Sequence, residues 1–195
     1  MSVEIKSYND ELRERFEKEA ERIRGVLGED VTIEHVGSSA VGIGGKNIVD
    51  VLVGVKSGKE VVRDGLLAAD SVEMLTARDS LYEIGYREGH DSHPDRIFMM
   101  WRDNAEARAV NDETGAGDFH VHICVAGSEE YVKMLAFRDY LRANREAALE
   151  YERMKSVFAR EAGYDRQKYK ELKSGYVGRM IREMCEGQVA NCLIK

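Results

Sequence analysis

Leu12, Phe16, Ile23 and Leu27, with Ala20 between them, recur at helical spacing in an otherwise charged stretch. The pattern predicts an amphipathic helix over 9–27, with Asn9 as cap and Gly28 placed to end it. Val31–Val36 and Ile48–Val55 are two β-branched runs, the second more apolar, and both read as strands. The eleven residues between them, 37–47, are glycine-rich and predict a loop with one helical turn. Lys59–Ala69 reads as a helix with Val62 and Leu66 inward, and 78–85 as another. Arg96–Arg102 (RIFMMWR) and Phe119–Val125 (FHVHICV) read as strands. The polar stretch joining them, NAEARAVNDETGAGD, suits a hairpin loop or a flap.

From Ser128 the period is helical almost to the end. Ser128 with Glu129 and Glu130 makes a helix start, and Tyr131, Leu135, Phe137, Tyr140 and Leu141 line that helix. Asn144 is placed to cap a second helix to about Arg160; Gly163 breaks it, and Asp165 starts a third through about Met184. A strand-rich half followed by a helical half predicts an α+β fold, not a regular strand–helix alternation. Residues 1–127 are expected to form the α/β core with its N-terminal helix, and 128–195 a helical segment packed on it as one unit.

Composition narrows the classes. With 195 residues, 43% hydrophobic and 33% charged, the chain is globular. It is long enough to bury roughly 70% of its unfolded surface without a disulfide or structural metal. Cys124, Cys185 and Cys192 make no CxxC pair, which fits a reducing compartment and argues against a cysteine-type zinc site. No apolar run approaches the roughly 20 residues of a membrane span. The N-terminus lacks the apolar core of a signal peptide. A cytoplasmic protein with no membrane partner is expected. The net charge of −7 repels duplex nucleic acid and favours a small ligand.

The chemistry gathers around residues 33–50, IEHVGSSAVGIGGKNIVD. The P-loop pattern G-x-x-x-x-G-K-[ST] fails, because Ala40 stands at its first glycine, Asn47 at its hydroxyl, and a strand follows. The dinucleotide pattern G-x-G-x-x-G fails as well, with Asn47 at the third glycine. A nucleotidyltransferase arrangement fits better: a strand ending in Gly-Ser, one helical turn, then a strand carrying a metal-binding carboxylate. Gly37-Ser38-Ser39 and Asp50 fill those places. Glycine lets backbone approach a triphosphate. Serine hydroxyl and backbone N–H groups donate to its oxygens, and the aspartate holds a divalent cation, here Mg2+.

These residues carry a resemblance. IEHVGSSAV followed by KNIVDVLVGV, then Asp95-Arg96-Ile97-Phe98, His120-Val121-His122, LAFRDYLRANREAALEYERMK and YKELKSGYV are similar to the GrpB family of nucleotidyltransferase-like proteins, over about 150 residues. The resemblance implies a nucleotidyltransferase-like mixed β-sheet with flanking helices and a helical C-terminal part. It implies no settled reaction.

Asp50, between Val49 and Val51, is either a buried ion pair or a metal and substrate ligand. Leu52 stands where such transferases carry a second carboxylate. Glu34, on the same face, is the candidate replacement; otherwise it is a surface or salt-bridging residue. His120 and His122 alternate onto one face and are candidates for metal ligands, or for base and phosphate donor. His35 reads as packing under the loop. His90 and His93 read as loop residues, with a zinc site alongside His120 and His122 as the alternative. Lys46, Arg96, Arg138 and Lys173 are candidates for phosphate contacts. Arg138 and Asp139 are expected to face different directions on their helix. Three functions remain open: Mg2+-dependent transfer of a nucleotidyl group to a small acceptor, binding of a nucleotide or other phosphate ligand without catalysis, and a histidine-centred metal hydrolase.

Overall fold

The computed structural model describes residues 3–57, 62–63, 66–67, 72–89, 93–101 and 118–187. His90, most of the polar stretch expected as a flap, and residues 188–195 lie outside these. The chain forms α1 (Glu11–Leu27), β1 (Val31–Val36), α2 (Gly37–Val41), β2 (Val49–Val55), β3 (Val62–Arg63), β4 (Leu66–Leu67), α3 (Val72–Glu83), β5 (Arg87–Glu88), β6 (Ile97–Trp101), β7 (Phe119–Val125), α4 (Glu129–Ala143), α5 (Arg145–Glu161) and α6 (Arg166–Gly187).

α1 forms as its period requires. Leu12 and Ile23 are buried, Phe16 and Leu27 pack against them, and the Asn9 side chain accepts from the Glu11 N–H at 3.0 Å. Gly28, at φ +77°, ends it. The main sheet runs β1-β2-β7-β6-β5, with β2 and β7 parallel and the other neighbours antiparallel. Strand alternation sorts its residues onto two faces. Val49, Val51, Val53 and Val55 join Val121, Ile123 and Met99 on one face, under Ile23 of α1 and Met74 and Leu81 of α3. On the other face Leu52, Val36 and Cys124 lie under Tyr131 of α4. Gly54 permits that close approach: a β-carbon there would stand 2.6 Å from the Tyr131 ring and 2.4 Å from Thr32 Oγ1. Burial on both faces explains the unbroken apolar run of β2.

Three expectations need correction. The described part of 59–69 is not helical: Val62 pairs with Leu67 and Arg63 with Leu66 as an antiparallel ribbon. Asp64-Gly65 lies between the two, a dipeptide that favours hairpins over helix, and spacing alone passes over it. The helix expected at 78–85 begins earlier, at Val72, because Met74, Ala77 and Leu81 form its buried stripe. Asn144 does not cap α5 with its side chain; its amide donates back to the Tyr140 carbonyl at 2.8 Å and closes α4.

Ser128 caps α4, accepting from the Tyr131 N–H at 3.4 Å, and Asp165 caps α6, accepting from the Lys168 N–H at 2.8 Å. The three helices meet the loop after α2: Ile43 is buried among Leu141, Ala148, Tyr151 and Met180. Lys6 and Gly45 exchange two backbone hydrogen bonds, at 2.7 and 2.9 Å, and tie the N-terminal segment to that loop. The glycine-rich stretch is thus held between the sheet and the helical half.

Candidate functional site

The site begins where β1 turns into α2. Register pairs Val36 with Asp50, so the first residue of α2, Gly37, lies directly over the Asp50 side chain. Gly37 has φ +73°, and a β-carbon there would fall 2.2 Å from Asp50 Oδ2. Only glycine satisfies both conditions. Across the parallel ladder Asp50 pairs with His120 and Leu52 with His122. Both imidazoles turn to the carboxylate: His120 Nδ1 is 3.3 Å and His122 Nε2 3.7 Å from Asp50 Oδ1. Burial alone would raise the Asp50 carboxyl; hydrogen bonds and charge from the two histidines outweigh it and hold the group well below the carboxylate range. Burial lowers His122, against the pull of Asp50 and with the help of the Arg96 charge. Phe98 packs edge-on to His120 and stacks on His122, at 4.9 and 5.3 Å between centroids. His122 Nδ1 is buried without a hydrogen-bond partner.

Leu52 is completely buried. The second-carboxylate position is therefore core, not ligand. Glu34 does lie on the Asp50 face, opposite Leu52, but it occupies the outer strand and is held by Arg138 Nη1 at 2.7 Å. The expected carboxylate pair of Asp50 and Glu34 is not assembled. Among the described residues no three His, Cys, Asp or Glu side chains are arranged to hold a metal ion. His93 turns to Glu130, at 3.2 Å, and does not extend the histidine pair.

A cationic group reaches the Gly-Ser turn from the helical half. Lys155 of α5 is buried; its ammonium donates to Ser38 Oγ at 2.7 Å and to the Gly44 carbonyl, and lies 4.8 Å over the Tyr151 ring. Burial brings this amine down to about 7, with the nearby Lys173 charge adding to the fall and Glu152 and Asp50 opposing it. Lys46 is lowered to about 8, by burial first and then by Lys173, Arg166 and Lys170. Tyr169 of α6 is pushed up to about 12 by burial and by the Asp50 charge, and Tyr151 is raised for the same reasons. Asp50, Ser38, Lys46, Lys155 and Lys173 thus share one electrostatic neighbourhood.

Other expected residues are engaged elsewhere. Ser39 is buried and its hydroxyl is bonded to His35 Nε2 at 2.9 Å, so Ser38 is the serine that meets Lys155. His35 stacks on Phe16 at 4.4 Å, packed under the loop as expected; burial, aided by Arg142, Arg138 and Arg13 against Asp50, lowers it to about 4. Arg138 and Asp139 do not diverge: they pair at 2.7 Å, and Arg138 also donates to the His35 carbonyl at 3.2 Å. Arg96 lies beside His122 with its guanidinium on Glu130.

Sequence reading missed Lys155, Tyr151 and Tyr169. A signal existed for Lys155. It sits on the buried stripe of α5 with Ala148, Tyr151, Phe158 and Ala159, a place where an amine needs a partner.

The fold is nucleotidyltransferase-like. It is similar to the Cid1 poly(U) polymerase, described with MgGTP bound, at TM-score 0.50 and 15% identity over 76% of this chain and 43% of that one. It is closer to the conserved protein GrpB from Enterococcus faecalis, at TM-score 0.71 and 25% identity over 95% of this chain and 99% of that one. A family model described as GrpB protein matches residues 2–183, and the chain belongs to that family. A UPF0157 protein of Halalkalibacterium halodurans is 30% identical over 93% of this chain and 82% of its own length. The glutamate-rich protein GrpB of Alkalihalophilus pseudofirmus is 27% identical over 93% and 95%. Among the described residues no helix is long and apolar enough to cross a membrane.

Proposed function

We propose that this protein binds a nucleoside triphosphate by its phosphates, over Gly37 and Ser38, with Lys46, Lys155 and Lys173 as counter-charges. The observation that carries this reading is the buried Lys155 ammonium fixed on Ser38, the serine of the Gly-Ser turn. A buried amine is costly unless paired; Glu152 and Asp50 act on this one through their charge, without an ion pair to it among the described residues. A phosphate would supply a direct partner. The nucleotide-bound Cid1 neighbour supports the choice of ligand.

Mg2+ takes one or two carboxylates and completes its shell with water and substrate phosphates. Asp50, ionised and directly beneath Gly37, fits that role as a single carboxylate; Leu52 and Glu34 add nothing to it. When bound, the ion supplies charge neutralisation at the phosphates.

A second reading is transfer of the nucleotidyl group to a small acceptor, with release of pyrophosphate. Its support is the Asp50–His120 contact. An ionised carboxylate on Nδ1 orients an imidazole so that its other nitrogen can accept the acceptor's hydroxyl proton. Calorimetric titration with ATP, GTP, CTP and UTP, with and without Mg2+, tests binding. Absence of heat for all four in the wild type overturns it. Pyrophosphate release over a panel of phosphate- and hydroxyl-bearing acceptors separates transfer from binding alone.

A further inference from the structure

A cavity of about 600 Å3 lies along β1, the edge strand of the main sheet, and is bounded by α1, α2 and α4. Part of its lining is backbone that the sheet leaves open. The Val49 N–H donates to the Asp118 carbonyl and the Val55 carbonyl accepts from the Ala126 N–H, so the odd residues of β2 turn their backbone to the β7 side. The even residues therefore face β1 and bond Glu34 and its alternates. Ile33 and His35 are left directed at the open edge. The His35 carbonyl agrees with this, since it accepts from Arg138 Nη1 at 3.2 Å. No described residue bonds the Ile33 N–H, the Ile33 carbonyl or the His35 N–H. Tyr8, Ile33 and Val41 give the cavity an apolar side.

Its charges are matched except at one place. Arg13 bonds Glu17 at 3.3 Å, and Arg138 bonds Glu34 and Asp139, each at 2.7 Å. Arg142 differs. Its Nε donates to the Ala40 carbonyl at 3.0 Å, which fixes the guanidinium against α2. Its nearest acid, Asp139, is 3.8 Å away and already held by Arg138. Among the described residues the two terminal nitrogens of Arg142 make no hydrogen bond, so the lining keeps a planar edge with donors to spare. A carboxylate matches such an edge bidentately. An amide matches the Ile33 backbone, which offers one donor and one acceptor.

We infer that this cavity binds a small carboxylate carrying an amide, the chemistry of an acylated amino acid. The carboxylate sits on Arg142, the amide on the β1 edge, and the apolar side chain against Tyr8 and Val41. The site needs no nucleotide and does not rest on the nucleotide reading. The two share α2, where Ser38 meets Lys155 and Ala40 holds Arg142.

N-acetyl-leucine serves as the probe, titrated without nucleotide into the 15N-labelled full chain and followed by the backbone amide resonances. Saturable shifts are expected at Ile33 and His35. N-acetyl-leucinamide, which lacks the carboxylate, and 4-methylpentanoate, which lacks the amide, are each expected to bind about tenfold more weakly. Arg142→Gln should weaken N-acetyl-leucine by a similar factor. The site is overturned if N-acetyl-leucine gives no saturable shift at Ile33 and His35, if the uncharged amide binds equally well, or if Arg142→Gln keeps full affinity. Should Arg142→Gln fail to fold, the three probes on the wild type decide by themselves.

Discussion

The Lys155 ammonium donates to the Ser38 hydroxyl at 2.7 Å, joining residues 117 apart in the chain. The contact couples the helical half to the Gly-Ser turn and places a positive charge beside the turn's hydroxyl. Replacing this lysine by methionine keeps most of the buried volume and removes the charge. Lys155→Met should lower nucleotide affinity by about tenfold or more, with unfolding free energy changed by less than about 1 kcal/mol. Calorimetry and urea unfolding on the same protein check both halves.

The two lowered amines predict a pH dependence. Lys155 at about 7 and Lys46 at about 8 are cationic below those values and neutral above them. Affinity for ATP should therefore fall as pH rises from 6 to 9, and binding at pH 8 should take up protons. Titrations in buffers of different ionisation enthalpy measure the uptake. Stability runs the other way. Between the folded values and the ordinary 10.5 the unfolded chain binds more protons, so these amines add stability as pH rises through that window.

Gly37 admits no side chain. Alanine there meets both the positive φ and the Asp50 carboxylate 2.2 Å away. Gly37→Ala should cost about 2 kcal/mol or more and displace Asp50. A loss of Mg2+-dependent nucleotide binding larger than the loss of stability would show that Asp50 has moved; a variant as stable as wild type and equally responsive to Mg2+ would contradict the contact.

Asp50→Asn keeps the shape and removes the charge. Nucleotide binding without Mg2+ should persist or strengthen, while the gain on adding Mg2+ should vanish. Thermal shifts with ATP, with and without Mg2+, read the difference directly.

Leu52→Asp does not rebuild a second metal ligand. The side chain lies among Val36, Cys124 and Tyr131, with no exposure. A carboxylate there should destabilise by roughly 3–5 kcal/mol. Urea midpoints would show it before any assay of activity.

Several elements were legible because short-range rules govern them. α1, β1, β2, β7 and the caps at Ser128 and Asp165 follow from period and capping chemistry within a few residues. The same rules put His120 and His122 on one face of their strand, since alternation depends on nothing remote; that this is the Asp50 face follows from the pairing of β2 with β7. They say which face a residue takes, not which neighbour claims it. Arg138 claims Glu34 from α4, and Glu130 claims Arg96, across 104 and 34 residues.

By itself the amino-acid sequence determined the α+β class, the Gly-Ser turn over an aspartate, and the Leu52 gap, because backbone sterics, strand alternation and apolar burial act locally. Tertiary structure alone decided that Asp50 is flanked by histidines and left without a second carboxylate. It also decided that the ammonium set against the Gly-Ser turn is that of Lys155, brought from α5. Those partners meet only when the helical half closes on Ile43, and that depends on the packing of surfaces far apart in the chain.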